Sequence, residues 1–259
     1  MVEIRSCNGM EELDACVRLE IDTWGYDETE VVPRKTFLLA QKIGGQVIGA
    51  FETQSGDQEA DIKAREALIG FAMSLPGIQE ARGRAIPYLH SHMLAVRPEE
   101  RNRGIGAQLK WAQRREALAR GIRHMEWTFD PLEIKNAHLN IHRLGAICRC
   151  YRENFYGVSS SRLQAGLPTD RLLAEWDLDS PRVQQAEDGR LALPQAIEER
   201  IVIPASIDRW KASETGRARA IQAENRRRFE RAFARGLAVT GFTRDAEGNG
   251  VFELGQLAD

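Results

Sequence analysis

At 259 residues the chain exceeds the commonest single-domain size but stays within reach of one domain plus a substantial extension. Hydrophobic residues at 42% and charged residues at 29% exclude a disordered or fibrous chain. The 36 basic and 38 acidic residues nearly cancel, leaving a formal net charge of -2 and no global field for gathering nucleic acid. No apolar run approaches the roughly 18 residues of a membrane span, and the opening MVEIRSCNGM lacks the basic-then-apolar order of a secretory signal. Cys7, Cys16, Cys148 and Cys150 show no CxxC spacing, which fits a reducing cytoplasm.

In chain order, residues 2–5 alternate as a short strand, and residues 10–24 space Leu13, Val17, Leu19 and Ile21 as an amphipathic helix. Residues 37–43 and 47–53 are apolar around Gly44 and Gly45, a pair that permits a tight turn, and predict a β-hairpin. The polar stretch 55–66 reads as a loop, 68–75 as a strand, and Pro76, Gly77 and Gly83 as a further loop. Residues 87–96, PYLHSHMLAV, predict a strand with His90, His92 and Leu94 on one face and Leu89, Ser91, Met93 and Ala95 on the other.

The spacing of Ile105, Leu109, Ala112 and Leu118 predicts a helix over 104–121, with Gly121 as its terminator. Residues 124–129 read as a strand, 134–144 as a short helix, and 148–156 as an extended or mixed segment that sets Cys148 and Cys150 on one face as buried thiols. Beyond Gly166 come a strand at 171–176, a link over 180–194, a strand at 200–204, a long helix over 215–235, and strands at 238–243 and 250–254. Arg226, Arg227, Arg228, Arg231 and Arg235 are interrupted by Glu224 and Glu230 and read as the wet face of that helix.

Residues 94–107 read LAVRPEERNRGIGA and join a buried strand to an amphipathic helix through a basic, glycine-bearing loop. That arrangement suits a diphosphate. The first amides of a helix have no internal partners and carry partial positive charge, while Gly104 and Gly106 present no side chain to hold phosphate oxygens away. The bland alternative is an arginine-rich helix entry in which glycine serves only for turning. A dinucleotide fingerprint is excluded by the missing third glycine, and no GxxxxGK[ST] loop is present.

On these residues the chain resembles the GNAT superfamily of N-acetyltransferases, whose acyl-CoA signature is Arg or Gln, two residues, Gly, one residue, then Gly or Ala. Here it reads Arg101, Asn102, Arg103, Gly104, Ile105, Gly106, and the preceding L-x-V-x-P strand end matches as well. The resemblance spans residues 2–157. It implies an α/β fold with a mixed central sheet flanked by helices; the C-terminal residues lie outside it and read as a β-α-β-β extension. It assigns Leu94, Ala95 and Val96 to the pantetheine arm, and Arg101, Asn102, Arg103, Gly104, Ile105, Gly106 and Ala107 to the pyrophosphate of acetyl-CoA or another acyl-CoA. The domains are then expected as 1–176, acyl-CoA-binding, and 177–259, an extension or small subdomain. LHSHMLAV, WTFDPLEIKNAHLNIHRLGA, NFYG and GLPTDRLLAEW also resemble a bacterial branch of predicted acetyltransferases of unassigned substrate.

Acyl transfer to an amine needs the amine deprotonated, the carbonyl polarised and the leaving thiolate protonated or stabilised. The family's carboxylate base falls near His90, so His90 or His92 is the candidate base. Either imidazole also reads as a packed core residue, or as part of a metal site with His138 and His142; packing is favoured over metal, because two ligands at i and i+2 need further convergent donors. Asn136 and Asn140 are candidates for the asparagine that contacts CoA in the family. Setting Leu144-Gly145-Ala146 on the family's Leu-Gly-Phe puts Ile141 where a thiolate-protonating tyrosine is expected. Tyr151 and Tyr156 offer hydroxyls from the next segment, with Tyr156 preferred. Trp127 and Phe129 read as core, while Asp130 either meets a cationic substrate or caps a turn.

The reading that results is a cytoplasmic, CoA-dependent N-acyltransferase acting on a small amine or amino-acid-like acceptor, with no nucleic-acid, membrane or metal partner expected. A second reading is a catalytically degenerate GNAT-fold module that binds or senses CoA. A third is a partner protein whose C-terminal module covers the first domain or completes a homodimer.

Overall fold

The computed structural model describes residues 1–53, 66–81, 83–192 and 196–257. β1 (Val2–Ser6) leads into α1 (Gly9–Trp24), whose buried Leu13, Cys16, Leu19 and Glu20 follow helical spacing; the helix stops at Gly25, held left-handed at φ 62. The hairpin expected over 37–43 and 47–53 is absent. In its place stand α2 (Arg34–Lys42) and β2 (Gln46–Thr53). Phe37 and Ala40, three apart, are buried while Leu38 and Leu39 between them are exposed, which is a helical and not a period-two pattern. Gly44, at φ 96, turns the chain from helix to strand.

β3 (Glu66–Ala81) and β4 (Arg84–Val96) form one long antiparallel hairpin. The loop expected at Pro76 and Gly77 is therefore strand. β2 pairs with β3 only as far as Gln46 opposite Ser74, so beyond that point proline's missing N–H falls on an edge where no ladder bond is lost. Gly77 lies beneath its cross-strand partner Tyr88, whose ring would sit 2.4 Å from any added Cβ. Of the loop expected at 55–66, all but Glu66 lies outside the described residues.

The described residues divide into two compact units, Met1–Met125 and Glu126–Asp259, with the division inside β5 (His124–Phe129). In the first unit the strand order is β1-β2-β3-β4, antiparallel throughout. One face buries Leu13, Leu19, Phe37, Phe71 and Met73 beneath α1 and α2. The other buries Ile48, Ala50, Ile69, Ile105 and Leu109 beneath α3 (Ile105–Ala119).

In the second unit α4 (Ile134–Ala137) continues as a π-helical turn, His138–Arg143, closed by Leu144 N–H donating to the Leu139 carbonyl at 3.0 Å. Then follow β6 (Ile147–Arg152), β7 (Arg171–Asp177), α5 (Pro181–Glu187), β8 (Glu199–Ile203), α6 (Ile207–Ser213), α7 (Thr215–Ala234), β9 (Ala238–Arg244) and β10 (Gly250–Gly255). The strand order is β5-β7-β6-β9-β10-β8. An aromatic core links Phe229 to Tyr151 and Phe252, at ring separations of 5.7 and 5.2 Å, while Trp127 meets Trp176 edge to face at 5.6 Å.

Three expectations change here. The link at 180–194 contains α5, started by Ser180, whose hydroxyl accepts from Val183 N–H, and by Pro181 as the first helical residue; Pro194 lies outside the described residues. α6 adds a second helix before α7 in the C-terminal extension. A bulge at Arg149 sets Cys148 opposite Ala174 and Cys150 opposite Leu173, and those neighbours on β7 point to opposite faces. The two thiols therefore do not share a face, and Cys150 is only half-buried. Along α7, Arg226 pairs with Glu153, Arg228 with Glu199 and Arg235 with Glu198. No helix among the described residues is long and apolar enough to cross a membrane.

Candidate functional site

β4 ends at Val96 and the chain passes through a 3-10 turn, Pro98–Glu100, into an exposed loop that carries two left-handed residues, Asn102 at φ 64 and Gly104 at φ 80. Asparagine tolerates that conformation better than most side chains, and glycine adopts it without penalty. Gly104 is the N-cap of α3 and no side chain caps the helix. Gln108 N–H donates to the Gly104 carbonyl at 3.1 Å, so the amides of Ile105, Gly106 and Ala107 precede the first intrahelical bond. Three main-chain donors stand at the positive end of a 15-residue helix, and their chemistry fits a diphosphate.

The loop's two arginines differ. Arg103 is paired with Glu52 at 3.1 Å and with Glu100, and these carboxylates raise its pKa. Arg101 donates its Nε to the Val96 carbonyl at 3.1 Å, folding back over the strand end. The charge of Arg103 is thus answered within the chain, which leaves Arg101 as the better cation for an external anion.

On β4 the register with β3 shifts: Met93 stands opposite Met73 and Ser91 opposite Ser74, so His92 is the extra residue of a β-bulge. This overturns the expected division of faces. Leu94 and Val96 pack with the α3 cluster, Met93 and Ala95 with the α1–α2 cluster, and Ser91 reaches α3 through Gln113. Leu94 therefore shares a face with Ser91 and not with His90. His90 lies opposite Leu75, which packs on the α1–α2 cluster. The His90 and His92 rings are 6.3 Å apart. His92 is solvent-accessible, yet desolvation by its surroundings, with His90 as a second cause, lowers its pKa and favours the neutral imidazole.

The remaining candidates lie in the second unit. Asn136 is exposed on α4, and Asn140 is buried in the π-helical turn beside Ile141, which is 0% exposed. The Tyr156 hydroxyl is 2.9 Å from Thr128 Oγ1 on β5, with the Arg171 guanidinium 5.4 Å from its ring centroid. Tyr151 is buried, donates to Asp170 at 2.7 Å, and has its pKa pushed up by burial and that carboxylate. Trp127 and Phe129 are buried. Asp130 is buried too: one oxygen accepts from Leu132 N–H at 2.8 Å and the other from Lys211 Nζ at 2.9 Å, while Lys211 also bonds Glu133 at 2.7 Å. His138 and His142 stack at 4.8 Å, and among the described residues no three His, Cys, Asp or Glu side chains converge as metal ligands.

Sequence reasoning missed the buried polar residues behind the bulge. Ser74, Ser91, Gln46 and Gln113 are hydrogen-bonded to one another between β2, β3, β4 and α3. Their one local signal is Gln113, which falls four residues after Leu109 and four before Ala117 on the inner stripe of α3.

A bulged strand followed through a loop by an uncapped helix N-terminus has the chemistry to hold an acyl-CoA diphosphate, and the family match sets the class, a CoA-dependent acyltransferase. The chain belongs to the acetyltransferase (GNAT) family, whose model matches residues 7–145, more than half of its length. Solved structures of similar fold include Arabidopsis thaliana NAA60 in complex with acetyl-CoA, 15% identical over 70% of this chain and 100% of that one, with a TM-score of 0.56. Another is yncA from Salmonella typhimurium with its cofactor acetyl-CoA, 16% identical over 76% of this chain and 99% of that one, with a TM-score of 0.52. Comparison with curated proteins gave no match.

Proposed function

We propose that this protein transfers an acetyl or other acyl group from acyl-CoA to the amine of a small or amino-acid-like acceptor. The observation that carries the reading is the set of uncapped amides at Ile105, Gly106 and Ala107, which follow the bulged strand after the loop at 97–104. Bound acyl-CoA supplies an activated thioester carbonyl. The three amides and Arg101 would hold its diphosphate, and the main chain of Leu94, Ala95 and Val96 would receive the pantetheine arm. His92, neutral near pH 7, accepts the proton released by the acceptor amine, with His90 beside it. From the second unit, Tyr156 is proposed to give a proton to the departing sulfur, and Asn136 and Asn140 to contact CoA. Asp130 is the proposed acceptor-side carboxylate, although its present cation is Lys211.

The test is release of free thiol from acetyl-CoA against a panel of amines, with CoA binding followed in parallel by calorimetry. Thiol release that depends on an amine supports the transferase. A second reading, a CoA-binding or sensor module, is favoured by one observation: buried Ile141 brings no hydroxyl to the place where the family carries tyrosine. CoA binding without thiol release would select it. Gly104→Glu introduces a negative charge at the anion site and a side chain at φ 80, and is expected to abolish the rise in melting temperature that CoA produces. Undiminished CoA stabilisation of a folded Gly104→Glu variant would rule the site out.

A further inference from the structure

The β4 bulge is held from one side by apolar packing and from the other by a buried polar clamp. Met93, immediately after the bulge, is fixed in the α1–α2 core. Ser91, immediately before it, donates from Oγ to Gln113 Oε1 at 2.9 Å on the opposite face. Its cross-strand partner Ser74 donates to Gln46 Oε1 at 3.0 Å, and Gln46 Nε2 donates to the Gln113 carbonyl at 2.9 Å. All four side chains are buried.

With Ser91 committed to one face and Met93 to the other, the residue between them has no place in a regular ladder. A strand that lost the bulge would have to withdraw Ser91 from Gln113 or Met93 from its core, because a one-residue slip reverses every side chain beyond it. Stability alone does not account for the clamp. Gln113 Nε2 is buried with no hydrogen-bond partner among the described residues, and an apolar side chain would fill that space at lower cost. Gln113 lies on the helix whose first turn carries the anion site, about 12 Å farther along its axis at 1.5 Å per residue. One rigid element therefore bears on both ends of the β4 segment.

We propose that Ser91 and Gln113 are positioning residues for acyl transfer, fixing the His92 bulge relative to the diphosphate loop; the assignment rests on the acyltransferase reading above. Neither residue touches the reacting atoms. Their effect passes through the main chain and imidazole of His92.

The experiment compares full-length wild type, Ser91→Ala and Gln113→Met, the latter a near-isosteric apolar replacement that keeps the helix packed. Both variants are expected to lose about tenfold in kcat, the scale of one hydrogen bond, with KM for acetyl-CoA within about twofold of wild type. The acid limb of the pH–rate profile should also move toward the ordinary imidazole value. Unchanged kcat and an unchanged acid limb in variants of an active enzyme overturn the assignment, as does a kcat loss matched by an equal rise in KM. If wild type releases no thiol from acetyl-CoA with any amine of the panel, the acyltransferase reading fails separately. His92 amide exchange and imidazole titration by NMR then decide the clamp: both altered in Ser91→Ala supports it, and both unchanged refutes it.

Discussion

His92 combines three properties that rarely coincide in a strand residue: it is the unpaired member of a bulge, it is solvent-accessible, and its pKa is lowered. A lowered imidazole pKa means that the base is deprotonated already at slightly acidic pH. The sign follows directly. Rate should climb as pH rises through the His92 value and level off above it, with a midpoint below the 6.5 of an ordinary histidine. Measuring kcat/KM from pH 5 to 8 in wild type and His92→Gln checks this, and the variant should lose that limb together with roughly 100-fold in rate. A limb retained in His92→Gln would move the role to His90 or elsewhere.

Among the elements, the end of α1 is pinned by an unusual tie. Glu20, fully buried, accepts from Val32 N–H at 2.8 Å and so fastens the segment leading into α2, while its other oxygen has no partner among the described residues. Burial pushes its carboxyl up to about 7, whereas in the unfolded chain it ionises near 4.5. The folded form thus keeps a proton that the unfolded form releases. Its stabilisation is complete below the unfolded value and is lost as pH rises through the folded one. Urea unfolding at pH 5 and pH 8 should show wild type losing roughly 1–3 kcal/mol from this group, and Glu20→Gln should flatten that dependence. Equal slopes in the two proteins would exclude Glu20 as the cause.

The same scale shows what the sequence could and could not convey. α1, α3, β5 and α7 were legible because each carries its apolar stripe within a single element. The Phe37-Leu38-Leu39-Ala40 run was not, since four consecutive apolar residues carry no period, and only the burial of Phe37 and Ala40 reveals the helix. The junction from β4 through the loop to α3 is local and could be read directly. The bulge at His92 could not, because LHSHMLAV alternates as smoothly as a regular strand and the extra residue exists only relative to Ser74 and Met73 on β3. Lys211, 81 residues from Asp130, leaves no trace near the carboxylate it neutralises.

At the scale of the whole molecule, the C-terminal residues are built into the sheet of the second unit. β9 pairs with β6 through Val239 and Cys148, and β10 and β8 extend the order beyond it. Phe229 of α7 covers Tyr151, and Arg182 of α5 donates to both the Gly145 and Thr240 carbonyls. Cutting the chain after residue 176 would strip β6 of one neighbour, expose Cys148 and Tyr151, and leave buried Asp130 without Lys211. Removing one partner of a buried ion pair costs about 3–5 kcal/mol, a large part of an ordinary domain's net stability, before any lost apolar burial is counted. A 1–176 fragment is therefore expected to collect in the insoluble fraction or to melt without a cooperative transition in calorimetry, while the full chain unfolds cooperatively. A soluble, cooperatively melting fragment would show instead that β5, β6 and β7 are sustained without the strands that follow, and that residues 177–259 are an appendage and not part of the core on which Asp130 and Tyr151 depend.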